Sequence, residues 1–216
     1  MNQQLVRRTE DYLRAMLDRG RFLSANPPEK RYRLEHSYRV ANLGRQIAQS
    51  EGFDETELVI ACLLHDVSYC EDFGETGWAE HGRRSAYLSR PFLESLGLAP
   101  DRIDEICYAI AIHVDDRADF PGERTPFALS VGDADNIDRF DVYRIHETLC
   151  RDRFLELSPE EKRDYLEQRL PRLRELSGMQ MGTKTAEALW GERLSFSIRF
   201  FEKLLSQLKC SAGLVE

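Results

Sequence analysis

The chain has 216 residues, 42% hydrophobic and 31% charged, a globular balance able to bury a sizeable core. Its formal net charge of −8 excludes the broad basic face that holds polyanions, so no nucleic-acid polymer is expected as a partner. No apolar run approaches membrane-spanning length, and Met1-Asn2-Gln3-Gln4-Leu5 opens no signal-like stretch, so no membrane is expected either. Cys62, Cys70, Cys107, Cys150 and Cys210 are scattered, odd in number and without a CxxC, which reads as free thiols in a reducing cytoplasm.

Helical spacing runs through nearly every segment. Leu5, Tyr12, Leu13, Met16 and Leu17 predict a first helix over 3–19, stopped at Gly20. Pro27-Pro28 then opens a second from about residue 29 to Ser50, whose stripe is His36, Val40, Leu43 and Ile47, so His36 faces the core. Asp54 and Glu57 cap a third helix, an almost wholly apolar run that ends abruptly in His65-Asp66. Residues 69–79 read as a loop that could cover a pocket with Phe73 and Trp78.

A further helix starts near His81, with His81, Ser85 and Leu88 on one stripe and Pro91 ending or kinking it. Pro100 opens the next, where Ile103, Ile106, Ile110 and His113 recur at intervals of three and four. Residues 126–150 read as one helix with Ala128, Val131, Asp135 and Asp138 on a face. Ser158-Pro159-Glu160-Glu161 is a helix start, and a last long helix is expected over about 183–208. No two-residue alternation, repeat or linker interrupts the pattern, so the reading is a single all-α domain.

His36, His65, His81 and His113 each sit where a helix stripe meets its end or its apolar face, and Asp66 and Asp135 do likewise. Taken one at a time, such residues are ordinary core histidines and caps. Together they demand many separate partners, because a buried imidazole or carboxylate costs several kcal/mol, roughly, when uncompensated. A shared metal centre compensates all of them, since His nitrogen and Asp oxygen both bind divalent ions at about 2.0–2.2 Å.

The order His36, His65-Asp66, Asp135 resembles the HD-domain superfamily of metal-dependent phosphohydrolases, and its small stand-alone bacterial members in particular. The matching stretches are Glu35-His36-Ser37, Leu63-Leu64-His65-Asp66, Glu80-His81-Gly82, Ile112-His113 and Gly132-Asp133-Ala134-Asp135-Asn136-Ile137-Asp138. Thr183-Lys184-Thr185 and Gly191-Glu192-Arg193 add a weaker similarity near the C-terminus. The resemblance implies a helical bundle of the HD type over 1–216. Its motif-bearing core would lie at about 30–150, with helices at about 158–208 packing on it.

Carried over position by position, the resemblance makes His36, His65, Asp66 and Asp135 the ligands of a divalent ion (Mn, Fe, Co, Ni, Zn or Mg). Asp135 is preferred to Asp133 because it follows Ala134 and shares the apolar face. His81 and His113 would bind a second ion or face the substrate phosphate, giving one or two ions per chain. Asp66, His81 and His113 would be the catalytic groups, and Arg83, Arg84 and Lys184 the nearest cations for phosphate charge. His146 matches no motif.

There are departures. Many relatives continue His-Asp with a small residue and a lysine, whereas this chain has Val67-Ser68-Tyr69. Glu71-Asp72 comes five residues after Asp66, not three, so the guanosine tetraphosphate hydrolase branch is not supported. The expected activity is hydrolysis of a small phosphorylated molecule such as a nucleotide by a metal-activated hydroxide. Two other readings use the same residues: a di-iron oxygenase with all six ligands, and a metal-holding module without catalysis.

Overall fold

A computed structural model describes residues 1–71 and 77–211, and no strand occurs among them. The expected covering loop rests on Phe73 and the Trp78 side chain, which lie outside the described residues. The chain forms two compact units, Met1–Asp138 with Met181–Ala186, and Arg139–Gln180 with Glu187–Glu216.

In the first unit α1 (Gln3–Arg19) is capped by the Asn2 side chain, and α2 (Arg21–Ala25) is a single turn and a half that the spacing does not predict. Helix α3 (Pro27–Glu51) begins at the first proline, two residues before the expected start, because both prolines occupy first-turn positions that need no N–H. Helix α4 (Glu55–Leu64) starts on the Asp54 carboxylate, which accepts from the Glu57 N–H at 2.9 Å. Every residue from Leu58 to Leu64 is buried, so α4 has no solvent face and runs through the middle of the unit against α1, α3 and α6. Each such Leu or Ile contributes about 1.5–3 kcal/mol of burial.

Helix α5 (His81–Ser95) passes through Pro91 without a break, where the sequence reading has it end or kink. The lost backbone bond costs up to about 3 kcal/mol. Fully buried Leu93, two residues further on, supplies packing that offsets it. Helix α6 (Pro100–Ile112) opens on its proline and packs against α5. Helix α7 (Pro126–Arg139) stops earlier than the predicted 126–150 segment. Asp141 accepts from the Val142 N–H at 2.7 Å and starts a new helix there.

That helix, α8 (Val142–Arg151), belongs to the second unit with α9 (Pro159–Glu175) and most of α10 (Lys184–Lys209). Ser158 and Glu161 form a reciprocal capping box on α9. The second unit closes over Ile145, Phe154, Leu166, Leu170, Trp190 and Phe201, with the Phe140 and Trp190 rings edge to face at 5.0 Å. Among the described residues no helix is long and apolar enough to cross a membrane.

Candidate metal centre

Four helix segments of the first unit deliver four histidines to one place. Two of them arrive by the same local device. Helices α4 and α6 each end in an apolar run followed by a histidine, His65 and His113, at the C-cap. Each donates its Nδ1 proton to a carbonyl three residues back, His65 to Cys62 and His113 to Ile110, both at 2.7 Å. The bond satisfies an end carbonyl of the helix and fixes the tautomer, leaving a bare Nε2 lone pair pointing forward. His36, from the middle of α3, has its Nδ1–H on the Asp138 carboxylate at 2.7 Å, with the same consequence at Nε2. His81 is the first residue of α5 and places Nε2 3.2 Å from Asp66 Oδ1.

Asp66 sits at the centre and is 5% exposed. Its Oδ2 faces His36 and His65 at 3.7 and 3.6 Å, while its Oδ1 faces His81 and His113 at 3.2 and 3.7 Å. Asp135, on α7, closes the first side with Oδ1 3.1 Å from His36 Nε2 and 3.9 Å from His65 Nε2. Thus His36, His65 and Asp66 form one triad of candidate ligands, and Asp66, His81 and His113 a second. All five side chains are buried.

The donor chemistry fits divalent ions. The Nε2 atoms of His36 and His65 lie 3.3 Å apart, and with both Nδ1 atoms protonated two lone pairs face each other. Such a contact needs a proton or a cation between the rings. His113 Nε2 is buried with no hydrogen-bond partner, which is costly unless a proton or a cation meets its lone pair. The electrostatics agree. Burial would lower His36, but Asp135 and Asp138 outweigh it and hold the imidazole up to about 9, so the set draws positive charge. Burial dominates at His65 and pushes it down to about 4, which keeps its lone pair available. Burial would raise Asp66, yet the imidazoles of His65, His113 and His81 hold it well below the usual carboxylate range.

Arg83 and Arg84, candidate cations for phosphate charge, are each paired with a carboxylate. Arg83 directs Nη1 to both oxygens of Asp115, at 2.9 and 2.8 Å, and Arg84 grips Glu71 through two bonds of 2.5 and 2.6 Å. Lys184 is the first residue of α10. Asp133 turns away from the cluster to accept the Gly182 N–H at 2.8 Å, and burial raises its carboxyl to about 6. His146 is exposed, with Nε2 3.7 Å from Cys150 Sγ.

Four residues at the centre escape the sequence reading. Arg33, one turn before His36, reaches Asp66 Oδ2 at 3.5 Å with its guanidinium 3.6 Å above the Tyr69 ring. Arg39 clasps Asp138 through Nε and Nη2 at 2.6 and 3.1 Å and so braces the carboxylate that holds His36. Both lie on the His36 face at helical spacing, three residues before and after it, and that spacing is the signal that could have found them. Gly82 and Gly132 are the other two. A Cβ on Gly82 would stand 2.7 Å from the Ala111 carbonyl oxygen, and one on Gly132 3.2 Å from that of His113, so both let neighbouring helices close on the end of α6.

The HD domain family model matches residues 33–142, just over half the chain and the stretch that carries every residue of the cluster. The fold also matches the crystal structure of a predicted HD superfamily hydrolase from an uncultured Thermotogales bacterium. That match has a TM-score of 0.61 and 22% identity, over 91% of this chain and 92% of the other. No curated protein matches. The chain therefore belongs to the HD domain family.

Proposed function

We propose that the cluster is the two-ion centre of a phosphohydrolase acting on a small phosphorylated molecule such as a nucleotide. His36, His65, Asp66 and Asp135 would hold one divalent ion, and Asp66, His81 and His113 a second. The observation that carries this reading is the division of Asp66, whose two oxygens each face a separate pair of imidazoles. A carboxylate so placed can serve two ions at once. When bound, such ions lower the pKa of water towards neutrality, polarise a phosphoryl oxygen and neutralise developing charge.

The chain's own groups supply the rest. Asp138 and the Cys62 and Ile110 carbonyls fix the imidazole tautomers, so the ligand atoms are oriented before anything binds. Asp66 orients the attacking water opposite the leaving oxygen. The water gives up a proton to solvent, the new P–O bond forms as the ester bond breaks, and the departing alkoxide takes a proton from solvent. The acidic charge of the whole chain argues for a small substrate over a nucleic-acid strand.

The test is anaerobic. Protein loaded with Mn²⁺, Co²⁺ or Ni²⁺ should release phosphate from a phosphorylated substrate, and the metal-free protein should not. Oxygen uptake coupled to substrate loss, seen only with iron, would assign the oxygenase chemistry instead. Stoichiometric metal with neither activity would leave the non-catalytic module.

A further inference from the structure

The buried cluster belongs to the first unit, and a different set of metal-ligating atoms comes together in the second. Helix α8 carries His146 and Cys150 four residues apart, a spacing at which side chains are neighbours on the helix surface. Cys150 Sγ and His146 Nε2 face each other at 3.7 Å, and both side chains are exposed. As a hydrogen bond this contact is worth little, because a thiol is a weak donor and a weak acceptor. As a chelate it has the right dimension. A tetrahedral ion bonded to sulfur at about 2.3 Å and to imidazole nitrogen at about 2.0–2.1 Å holds the two atoms about 3.6 Å apart.

The surroundings suit an incoming cation. Arg144 pairs with Glu147 at 2.7 Å, Arg151 with Asp152 at 3.1 Å, and Arg153 with Glu156, so these three arginines present ion pairs and not bare charge. His146 and Cys150 also line a depression of about 430 Å³, together with Leu149, Phe154 and Leu155. Apolar side chains beside an ion limit the access of water and lower the local dielectric, which strengthens its bonds to the protein. The depression is open, and Leu155 on its edge is 88% exposed, so an ion has a free path to both ligand atoms. Cys62 and Cys107 offer no such site, since both thiols are buried.

From this pair we infer a second kind of metal site in the chain, in which His146 and Cys150 chelate one thiophilic divalent ion, with Zn²⁺ the best match. The ion takes one nitrogen and one sulfur from a single helical turn, and water completes its coordination. As the sulfur–metal bond forms the thiol proton leaves to solvent, and nothing is oxidised or reduced. The site shares no residue with the proposed catalytic centre, so the inference stands whether or not that centre is a phosphohydrolase.

Co²⁺ is the probe. Bonded to a thiolate it shows a sulfur-to-metal charge-transfer absorption that imidazole and carboxylate ligands do not produce, so the buried cluster stays silent. Titrating the full-length protein, kept reduced with a phosphine, should develop that band, and Zn²⁺ should then abolish it, because thiolate ligands select zinc. Cys150→Ser should show no band, and His146→Ala should bind the thiolate-bound ion at least about ten-fold more weakly. Cys70→Ser and Cys210→Ser should keep the band unchanged. Both ligand positions are exposed, so Cys150→Ser and His146→Ala should melt at the wild-type temperature without metal, which separates loss of the site from loss of the fold. Absence of the band from the wild-type protein overturns the inference. So does a band that persists in Cys150→Ser, or one whose affinity His146→Ala leaves unchanged.

Discussion

The two sides of Asp66 are built from the same residue types and are not equivalent. On one side His36 and His65 are joined by Asp135, and Asp138 backs His36 while Arg39 backs Asp138. On the other, His81 and His113 both face the second oxygen of Asp66. Among the described residues one side therefore sets two carboxylates and two imidazoles against a cation, and the other one shared carboxylate and two imidazoles. Affinity of an oxygen and nitrogen site for a divalent ion rises with ligand charge, so the His36 side should fill first and hold harder. The difference teaches that two similar triads can be graded by one added carboxylate and the groups that brace it.

The largest effect should come from breaking the shared framework. His65→Ala removes a candidate ligand from the side proposed to be stronger and frees the end of α4, so bound metal should fall to near zero by elemental analysis. The melting temperature should fall too, because an ion at one hundred times its dissociation constant contributes about 2.7 kcal/mol to the native state. If His65→Ala retained two ions per chain, the grading of the two sides would be wrong from the start. His113→Ala should remove one ion and leave the other, since it touches the weaker side only.

Asp138→Asn comes next. The amide can still hold His36 in place, yet it no longer supplies the charge that makes Nε2 a stronger ligand. Loss of such a support typically costs about 10–100-fold in metal affinity. The loss should appear at the tighter of two sites in a metal titration. A loss confined to the weaker site would reverse the comparison.

These effects follow from residues of unequal legibility. Each histidine was visible because an imidazole on an apolar stripe is conspicuous, and the C-cap positions of His65 and His113 follow from where their hydrophobic runs stop. Asp135 could be told from Asp133 by helix register. The structure turns Asp133 onto the Gly182 N–H and Asp135 towards His36. Arg33 and Arg39 share the His36 face at helical spacing, yet an arginine three residues from a core histidine looks like ordinary solvated charge until the facing carboxylate is known. The helix break at 139–141 was hidden because Val142, Ile145 and Leu149 keep an apolar spacing that prolongs the preceding stripe. Only the Asp141 cap marks the stop. Glycines 82 and 132 carry no periodic signal; their role lies in distances between helices.

Gly82→Ala sharpens the comparison from the weaker side. Its Cβ would meet backbone oxygen at 2.7 Å, so α5 has to move off the end of α6, and His81 moves with it. Overpacking of this kind costs about 1–3 kcal/mol. The second ion should be lost while the first stays, and an unchanged two-ion stoichiometry would mean that His81 tolerates the shift.

The smallest effect is expected at Ser85, whose hydrogen bonds go to Ser68 and not to a candidate ligand. Ser68, in the 3₁₀ turn Val67–Cys70 just after Asp66, donates from Oγ to the His81 carbonyl at 2.9 Å. Its N–H donates to Ser85 Oγ at 3.1 Å, and Ser85 donates back to Ser68 Oγ at 2.9 Å. Both serines are fully buried, so this small closed network ties the chain after Asp66 to the first turn of α5. Ser85→Ala leaves the Ser68 N–H without its partner, at about 1–3 kcal/mol. It also loosens the distance between Asp66 and His81. The weaker site should lose a few-fold in affinity, and the stronger site should not change. A stability loss with both affinities intact would show that the network holds the fold and not the spacing of the second triad.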